Sequence, residues 1–195
     1  MPKPSADKPF PADSQFVDRV VSSPNFGERR LVNSPDMIIL HYTGMKNGEV
    51  ALQRLCCREA EVSSHYLIME NGEIIQLVAE SQRAWHAGNS SWKGIQDINS
   101  HSIGIEIVNP GHEHGYVKFP DIQMRSVVQL LRDIVARNGI KPADILAHSD
   151  IAPLRKQDPG ELFDWHCLYQ EKLGIWVEAE AICPGPILAM GEAGE

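Results

Sequence analysis

Two short, largely apolar runs that each end at a histidine constrain this fold most strongly. Residues 37–40 are Met-Ile-Ile-Leu and precede His41, whereas residues 143–147 are Ala-Asp-Ile-Leu-Ala and precede His148. Short apolar runs of this kind are typical of strands that a sheet buries on both faces. Each histidine therefore lies where a buried strand ends, and a rigid sheet edge can bring two such side chains together.

The segment that follows the second histidine carries further chemistry. Residues 148–160 contain two basic side chains and two carboxylates, framed by two prolines and a glycine that favour one defined loop geometry. Lys156 and Asp158 are two positions apart, so an extended chain projects them to the same side. His41, His148 and Asp158 make a set of two histidines and a carboxylate, which can bind a metal ion and leave a fourth position for water. Other triples remain open on spacing alone, because the chain has eight histidines.

A lone acid interrupts the most regular strand pattern. Residues 102–109 alternate so that Ile103, Ile105 and Ile107 face one way and Glu106 faces the other. Glutamate is depleted in strands and is rarely buried without a partner. A solvated face or an ion pair is the ordinary explanation. The functional explanation is that Glu106 takes a proton from a metal-activated water, and we favour this explanation here.

The other patterns indicate alternating strands and helices, and so an α/β fold. Asn71 and Gly72 lie between two apolar runs and predict a β-hairpin. Apolar residues at helical spacing predict core-packing helices. These helices are one that begins at Asn47 or Gly48, one over residues 120–138 and one over residues 161–176.

Length and charge limit the classes of function. A chain of 195 residues is long enough for one domain with a substantial core. The net charge of −8 argues against nucleic acid or an anionic membrane surface as a partner. No apolar run is long enough to span a bilayer. Residues 1–16 lack the apolar region of a secretory signal, which favours the cytoplasm; the alternative is the periplasm, if a signal segment is missing from this chain.

The cysteines are not assigned any chemistry. Cys56, Cys57, Cys167 and Cys183 have neither the spacing of a zinc knuckle nor the density of a disulfide scaffold. Cys56 and Cys57 are expected to be packed, reduced thiols.

Six motifs occur in an order that carries a family resemblance. They are residues 39–43 (Ile-Leu-His-Tyr-Thr), 63–67 (Ser-Ser-His-Tyr-Leu), 83–88 (Arg-Ala-Trp-His-Ala-Gly), 102–106 (Ser-Ile-Gly-Ile-Glu), 148–160, and 163–165 (Phe-Asp-Trp). Over residues 35–176 the chain resembles the zinc N-acetylmuramoyl-L-alanine amidases of the amidase type 2 family, which share their fold with the peptidoglycan recognition proteins. The resemblance implies a single α/β domain with a central mixed β-sheet of about five or six strands flanked by helices. It also implies cleavage of the amide between the lactyl group of N-acetylmuramic acid and L-alanine. Of the family's subgroups, we expect one that acts on the 1,6-anhydro form of the sugar.

The resemblance assigns roles to individual residues. One Zn²⁺ ion would be bound by His41, His148 and Asp158, with Glu106 as the general acid and base. Lys156 would stabilise the oxyanion. The motifs do not place the contacts to the stem peptide. Our own predictions for substrate contacts are Tyr42, Trp85, His86 and Arg155, with Trp92 as a second tryptophan of the same loop. His65 is instead expected to be a packed structural histidine.

Several alternatives stay open. The same residues suit a recycling amidase for anhydromuropeptides, a phage-type or wall-degrading amidase of broader specificity, or a module that binds muropeptides without cutting them. We expect an irregular lead-in over residues 1–34, a catalytic domain over residues 35–177 and a loosely ordered tail over residues 178–195. We expect a monomer whose partner is a muropeptide or another peptidoglycan fragment.

Overall fold

A mixed β-sheet with helices on both faces forms the centre of the computed structural model, which describes residues 10–178. The strands within those residues are β1 (Arg19–Val20), β2 (Phe26–Glu28), β3 (Met37–Tyr42), β4 (Tyr66–Ile68), β5 (Ile74–Gln76), β6 (Gln82–Ala84), β7 (Ser102–Ile107) and β8 (Ile145–Ala147). The main sheet has six strands in the order β1-β5-β4-β7-β3-β8, and β2 pairs with β6 in a separate antiparallel pair. The predicted α/β domain with a mixed sheet is confirmed.

Five α-helices accompany these strands within the described residues. They are α1 (Gly48–Leu55), α2 (Ile98–His101), α3 (Asp121–Asn138), α4 (His148–Ile151) and α5 (Trp165–Gln170). Short 3-10 helices lie at Arg58–Ala60, His112–His114 and Pro142–Asp144. Two predicted helix boundaries agree with the structure: α1 begins at Gly48, and α3 ends at Asn138. The Asn47 side chain caps α1 by accepting from the Val50 amide, and Gly139 ends α3 with a φ of 67°.

The helices cover both faces of the sheet. On one face, α3 packs the side chains of Val127, Leu131 and Ile134 against the isoleucines of β7. On the other face, Leu52 and Leu55 of α1 pack against β4 and β5. This two-sided burial explains why β3 carries an unbroken apolar run, and its residues 38–40 have no solvent exposure.

The register of three parallel strands decides where the functional side chains meet. β3 lies between β7 and β8 and is parallel to both. In this register His41 lies opposite Glu106, and Leu40 lies opposite Ala147, the residue before His148. The carboxyl ends of parallel strands lie at one edge of a sheet, so these side chains converge there.

Three predicted segments differ in the structure. The lead-in predicted to be irregular contributes β1 and β2. These strands have two and three residues, which is too short for a periodic sequence pattern. The helix predicted over residues 161–176 covers only α5. Asp164 caps it by accepting from the Cys167 amide, and the left-handed backbone of Lys172 and Gly174 follows its end. His148 begins the short helix α4 rather than a loop, because the Asp150 carboxylate accepts from the Ala147 amide and folds the chain back.

The remaining sequence predictions about the ends and the thiols have a mixed outcome. The predicted tail, apart from Glu178, lies outside the described residues, as does Cys183. The domain boundaries stay predictions. Cys56, Cys57 and Cys167 are free thiols; Cys56 is partly buried, whereas Cys57 is exposed, so the prediction that Cys57 is packed is wrong. No helix within residues 10–178 has the length and apolar character needed to cross a membrane.

Candidate metal centre and active-site cleft

Three buried side chains converge at the carboxyl edge of the sheet. His41 is the second-last residue of β3, His148 begins α4, and Asp158 follows on the next loop. The Nδ1 atoms of the two histidines are 2.8 Å apart, and they lie 3.1 and 3.0 Å from Oδ2 of Asp158. All three residues are at most 6% exposed. The structure therefore brings together the predicted ligand set in an arrangement that can hold a metal ion.

The surroundings keep His41 in the form that binds metals. Burial and, to a smaller extent, the neighbouring His148 lower the pKa of His41 to about 4, although the contact with Asp158 acts in the opposite direction. A neutral imidazole offers a lone pair to a metal ion, whereas an imidazolium ion does not. At neutral pH the His41 ring is therefore ready to act as a ligand.

Glu106 is a partly buried residue beside this donor cluster, and its Oε2 atom is fully buried. Within the described structure its Oε2 atom has no hydrogen-bond partner. Burial raises its pKa well above the ordinary value, and the nearby Asp158 carboxylate raises it further, while Lys156 acts in the opposite direction. A carboxyl that holds its proton unusually well next to a metal site is suited to proton transfer.

The donor cluster lies in a cleft of about 370 Å³. The other side chains at its walls include the predicted substrate contacts Tyr42, Trp85 and Arg155, the predicted oxyanion partner Lys156, and Arg54, which the sequence patterns did not indicate. Three cations and three acidic side chains, the third acid being Glu113, thus line the cleft. The wall can contact polar ligand groups of either charge.

Two of the predicted substrate contacts are already engaged with the protein. The Arg155 guanidinium donates to the backbone carbonyls of Ala87 and Asn89 at 3.0 and 2.8 Å. The Tyr42 hydroxyl is 2.9 Å from Nδ1 of His112. These bonds fix both side chains at the rim of the cleft and leave their contact with substrate a prediction.

The structure gives two other predicted contacts, His86 and Trp92, partners within the protein that argue against a contact with substrate. His86 borders the cleft, but Nδ1 lies 3.0 Å from Nε2 of His41, and Nε2 lies 3.1 Å from Oγ of Ser102. Because both ring nitrogens are occupied, His86 has no polar atom for a substrate. Trp92 packs against the apolar cluster around Ile39 and Ile98 and is not part of the cleft wall.

Two further histidines have roles that differ from metal binding. His65 is fully buried; its Nδ1 accepts from the Gly104 amide, and its Nε2 lies 3.0 Å from the Gln82 carbonyl. This confirms a packed structural histidine. Nε2 of His112 contacts Glu161 at 2.9 Å, which joins the loop after β7 to the segment after Asp158. Nothing in the sequence pattern signals that contact, because it depends on the tertiary approach of two loops.

Comparison with known proteins gives a consistent result. A family profile described as N-acetylmuramoyl-L-alanine amidase matches residues 31–161. The chain is 40% identical over 158 residues to the N-acetylmuramoyl-L-alanine amidase AmiD of Escherichia coli (strain K12), covering 75% of this chain and 56% of AmiD. It therefore spans little more than half the length of that relative.

Two other similarities have wider coverage. The chain is 30% identical over 164 residues to the 1,6-anhydro-N-acetylmuramyl-L-alanine amidase AmpD of Salmonella typhimurium (strain SL1344), covering 75% of this chain and 86% of AmpD. The solved complex of AmiD from E. coli with the substrate anhydro-N-acetylmuramic acid-L-Ala-D-gamma-Glu-L-Lys superimposes with a TM-score of 0.67 at 37% identity. That match covers 80% of this chain and 68% of the AmiD chain.

Proposed function

Because the chain belongs to the N-acetylmuramoyl-L-alanine amidase family, we propose that it hydrolyses the amide between the lactyl group of N-acetylmuramic acid and L-alanine. The proposed substrates are peptidoglycan fragments whose sugar is in the 1,6-anhydro form. One observation carries the proposal: three buried donor atoms converge in a single cleft that also contains a carboxyl whose buried Oε2 atom has no hydrogen-bond partner in the described structure. The AmpD name and the AmiD complex with an anhydro substrate support the choice of sugar.

We infer that the metal is one zinc ion held by His41, His148 and Asp158. Two imidazoles and a carboxylate are a donor set that catalytic zinc sites use, with a further position left for water. Tetrahedral zinc with bonds of about 2.0–2.1 Å separates neighbouring donors by roughly 3.3 Å. The observed separations of 2.8 to 3.1 Å need only a small adjustment to reach that value. When bound, zinc would lower the pKa of a water to about 7 and polarise the amide carbonyl.

Glu106 would carry the proton. Its carboxylate takes a proton from the attacking water as the oxygen bonds to the lactyl carbonyl carbon. It then gives that proton to the amide nitrogen as the carbon–nitrogen bond breaks. The products are a lactyl carboxylate and a free amine on L-alanine. The raised pKa of Glu106 suits this exchange, since the carboxyl must hold the proton between the two steps.

The remaining cleft residues would bind and orient the substrate. Lys156 lines the cleft beside the donor cluster, where its charge would stabilise the developing negative charge on the amide oxygen. Trp85 would contact the sugar or peptide through its apolar face, and Arg155 and Tyr42 would contact polar groups at the rim. We propose that the protein acts as a monomer in the cytoplasm.

A comparison of two substrates tests the proposed specificity. The protein is incubated with zinc on 1,6-anhydro-N-acetylmuramyl-tripeptide and on N-acetylmuramyl-tripeptide, and released peptide is measured by mass. We expect the anhydro form to be cleaved preferentially.

Equal release from both, together with digestion of intact sacculi, would favour a wall-degrading amidase of broad specificity instead. The name of AmiD, unlike that of AmpD, is not restricted to the 1,6-anhydro form, and the identity to AmiD is higher, so we keep this as the second candidate. Stoichiometric zinc binding without release from any of these would indicate a binding module.

A further inference from the structure

We propose that the turn formed by His86 and Ala87 is a positioning element that supplies one hydrogen-bond acceptor to each histidine ligand and thereby directs both Nδ1 atoms at the metal. His86 acts through His41 and does not contact the substrate. This inference rests on the proposed zinc site and identifies the residues that preorganise it.

The hydrogen-bond chain that ends at His41 can run in only one direction. The Ser102 hydroxyl donates its single proton to the Ile98 carbonyl at 2.7 Å. Towards His86 the same oxygen can therefore only accept, so Nε2 of His86 carries the proton. A neutral imidazole with a proton on Nε2 has its lone pair on Nδ1.

The tautomer of His86 determines the tautomer of His41 in the metal site. Because Nδ1 of His86 is an acceptor, the 3.0 Å contact requires Nε2 of His41 to be the donor. The lone pair of His41 is then on Nδ1, the atom that faces His148 and Asp158. The Ser102 hydroxyl, which is two hydrogen bonds away from His41, thus selects the tautomer of a metal ligand. Hydrogen bonds outside the donor set orient ligating histidines in this way in general.

The next residue of the turn does the same for the second ligand. Nε2 of His148 lies 3.1 Å from the Ala87 carbonyl oxygen. A carbonyl oxygen only accepts, so Nε2 of His148 carries the proton and Nδ1 holds the lone pair. Two consecutive residues therefore fix the tautomers of both histidine ligands.

The fold secures this turn on two sides. The side-chain oxygen of Asn99, which is 8% exposed, accepts from the amides of both His86 and Ala87 at 3.0 and 2.8 Å. The ring of His86 occupies the space above Gly104 in the middle of β7. A Cβ atom at position 104 would come within 2.4 Å of the His86 ring. Glycine weakens a strand interior, and here its lack of a side chain admits the ring beneath His41.

The test compares three variants of the full chain. His86→Phe keeps a ring and removes both nitrogens, whereas His86→Asn keeps an amide oxygen near the position of Nδ1. Ser102→Ala frees His86 to adopt either tautomer. The matched control is Ser90→Ala, which changes a buried serine near the same turn; within residues 10–178 its hydroxyl donates only to the Gly88 carbonyl. Zinc dissociation constants are measured by chelator competition, and histidine tautomers by nitrogen NMR of the zinc-free protein.

The expected results separate positioning from packing. In the wild type His41 should be protonated on Nε2. His86→Phe should weaken zinc binding by about 10- to 100-fold, His86→Asn should recover part of that loss, and the control should match the wild type. Ser102→Ala should give a mixture of His41 tautomers. A folded His86→Phe variant with the wild-type zinc constant would overturn the inference.

Two further outcomes keep the test decisive. Should His86→Phe fail to fold, wild-type tautomer populations in Ser102→Ala would overturn the inference instead. Failure of the proposed function is distinguishable, because it would appear as a wild-type protein that binds no stoichiometric zinc. Failure of this inference alone would appear as wild-type zinc binding that the variants do not change.

Discussion

Replacing Glu106 with glutamine is expected to lower kcat by about 10²- to 10⁴-fold, the usual contribution of a general acid and base. Glutamine keeps the shape of the side chain but cannot accept and return a proton. Zinc should remain bound, because Glu106 is not one of the three converging donors. Turnover is measured as peptide released from 1,6-anhydro-N-acetylmuramyl-tripeptide, and zinc content by metal analysis. A rate close to that of the wild type would remove Glu106 from the mechanism.

The free energy of unfolding of the Glu106→Gln variant shows whether a loss of turnover comes from misfolding. Burial raises the pKa of Glu106 in the fold, so the fold holds this proton more tightly than the unfolded chain does. Above the unfolded pKa of about 4.3 the ionised form therefore costs stability. Glutamine removes that cost, so the free energy of unfolding of the metal-free variant at neutral pH should equal or exceed that of the wild type. Lower stability in urea titrations would instead assign the loss of turnover to misfolding.

Replacing Asp158 with alanine is expected to abolish stoichiometric zinc binding and, with it, activity. Oδ2 of Asp158 lies within 3.1 Å of both ligating histidine nitrogens, and no other carboxylate shares that cluster in the described structure. Two imidazoles alone would leave the site one protein ligand short of a catalytic zinc centre. Equilibrium dialysis followed by metal analysis measures the loss.

A second aspartate on the neighbouring segment provides the control for that variant. Asp164 caps α5 and takes no part in the donor cluster. Asp164→Ala should cost about 1 kcal/mol of stability through the lost cap and leave zinc binding intact. Unchanged zinc content in Asp158→Ala would show that a different residue is the third ligand.

The central strands could be predicted from the sequence because burial on both faces requires apolar residues at successive positions. The apolar run before His41 and the alternation around Glu106 each mark a strand in the structure. The motif order then indicated which histidines meet, and the register of β3 with β7 and β8 explains why they do.

Other features depend on tertiary contacts that no local pattern records. β1 exists because backbone groups of residues 18–21 pair with β5, and two residues have no periodicity of their own. The helix in the last described segment ends early, although its apolar spacing continues, because Lys172 adopts a left-handed backbone. The motif singled out His86 but not its position against β7; Gly104 was a signal for that position, since a glycine in a buried strand often marks a close approach.

The most direct test of the central claim is hydrolysis in water enriched in heavy oxygen. Purified protein is incubated with 1,6-anhydro-N-acetylmuramyl-tripeptide, with zinc and with a chelator, and both products are analysed by mass. We predict zinc-dependent release of free tripeptide, with the heavy oxygen in the lactyl carboxylate of the sugar product. An intact substrate in the presence of stoichiometrically bound zinc, or a label in the peptide product, would contradict the proposed reaction.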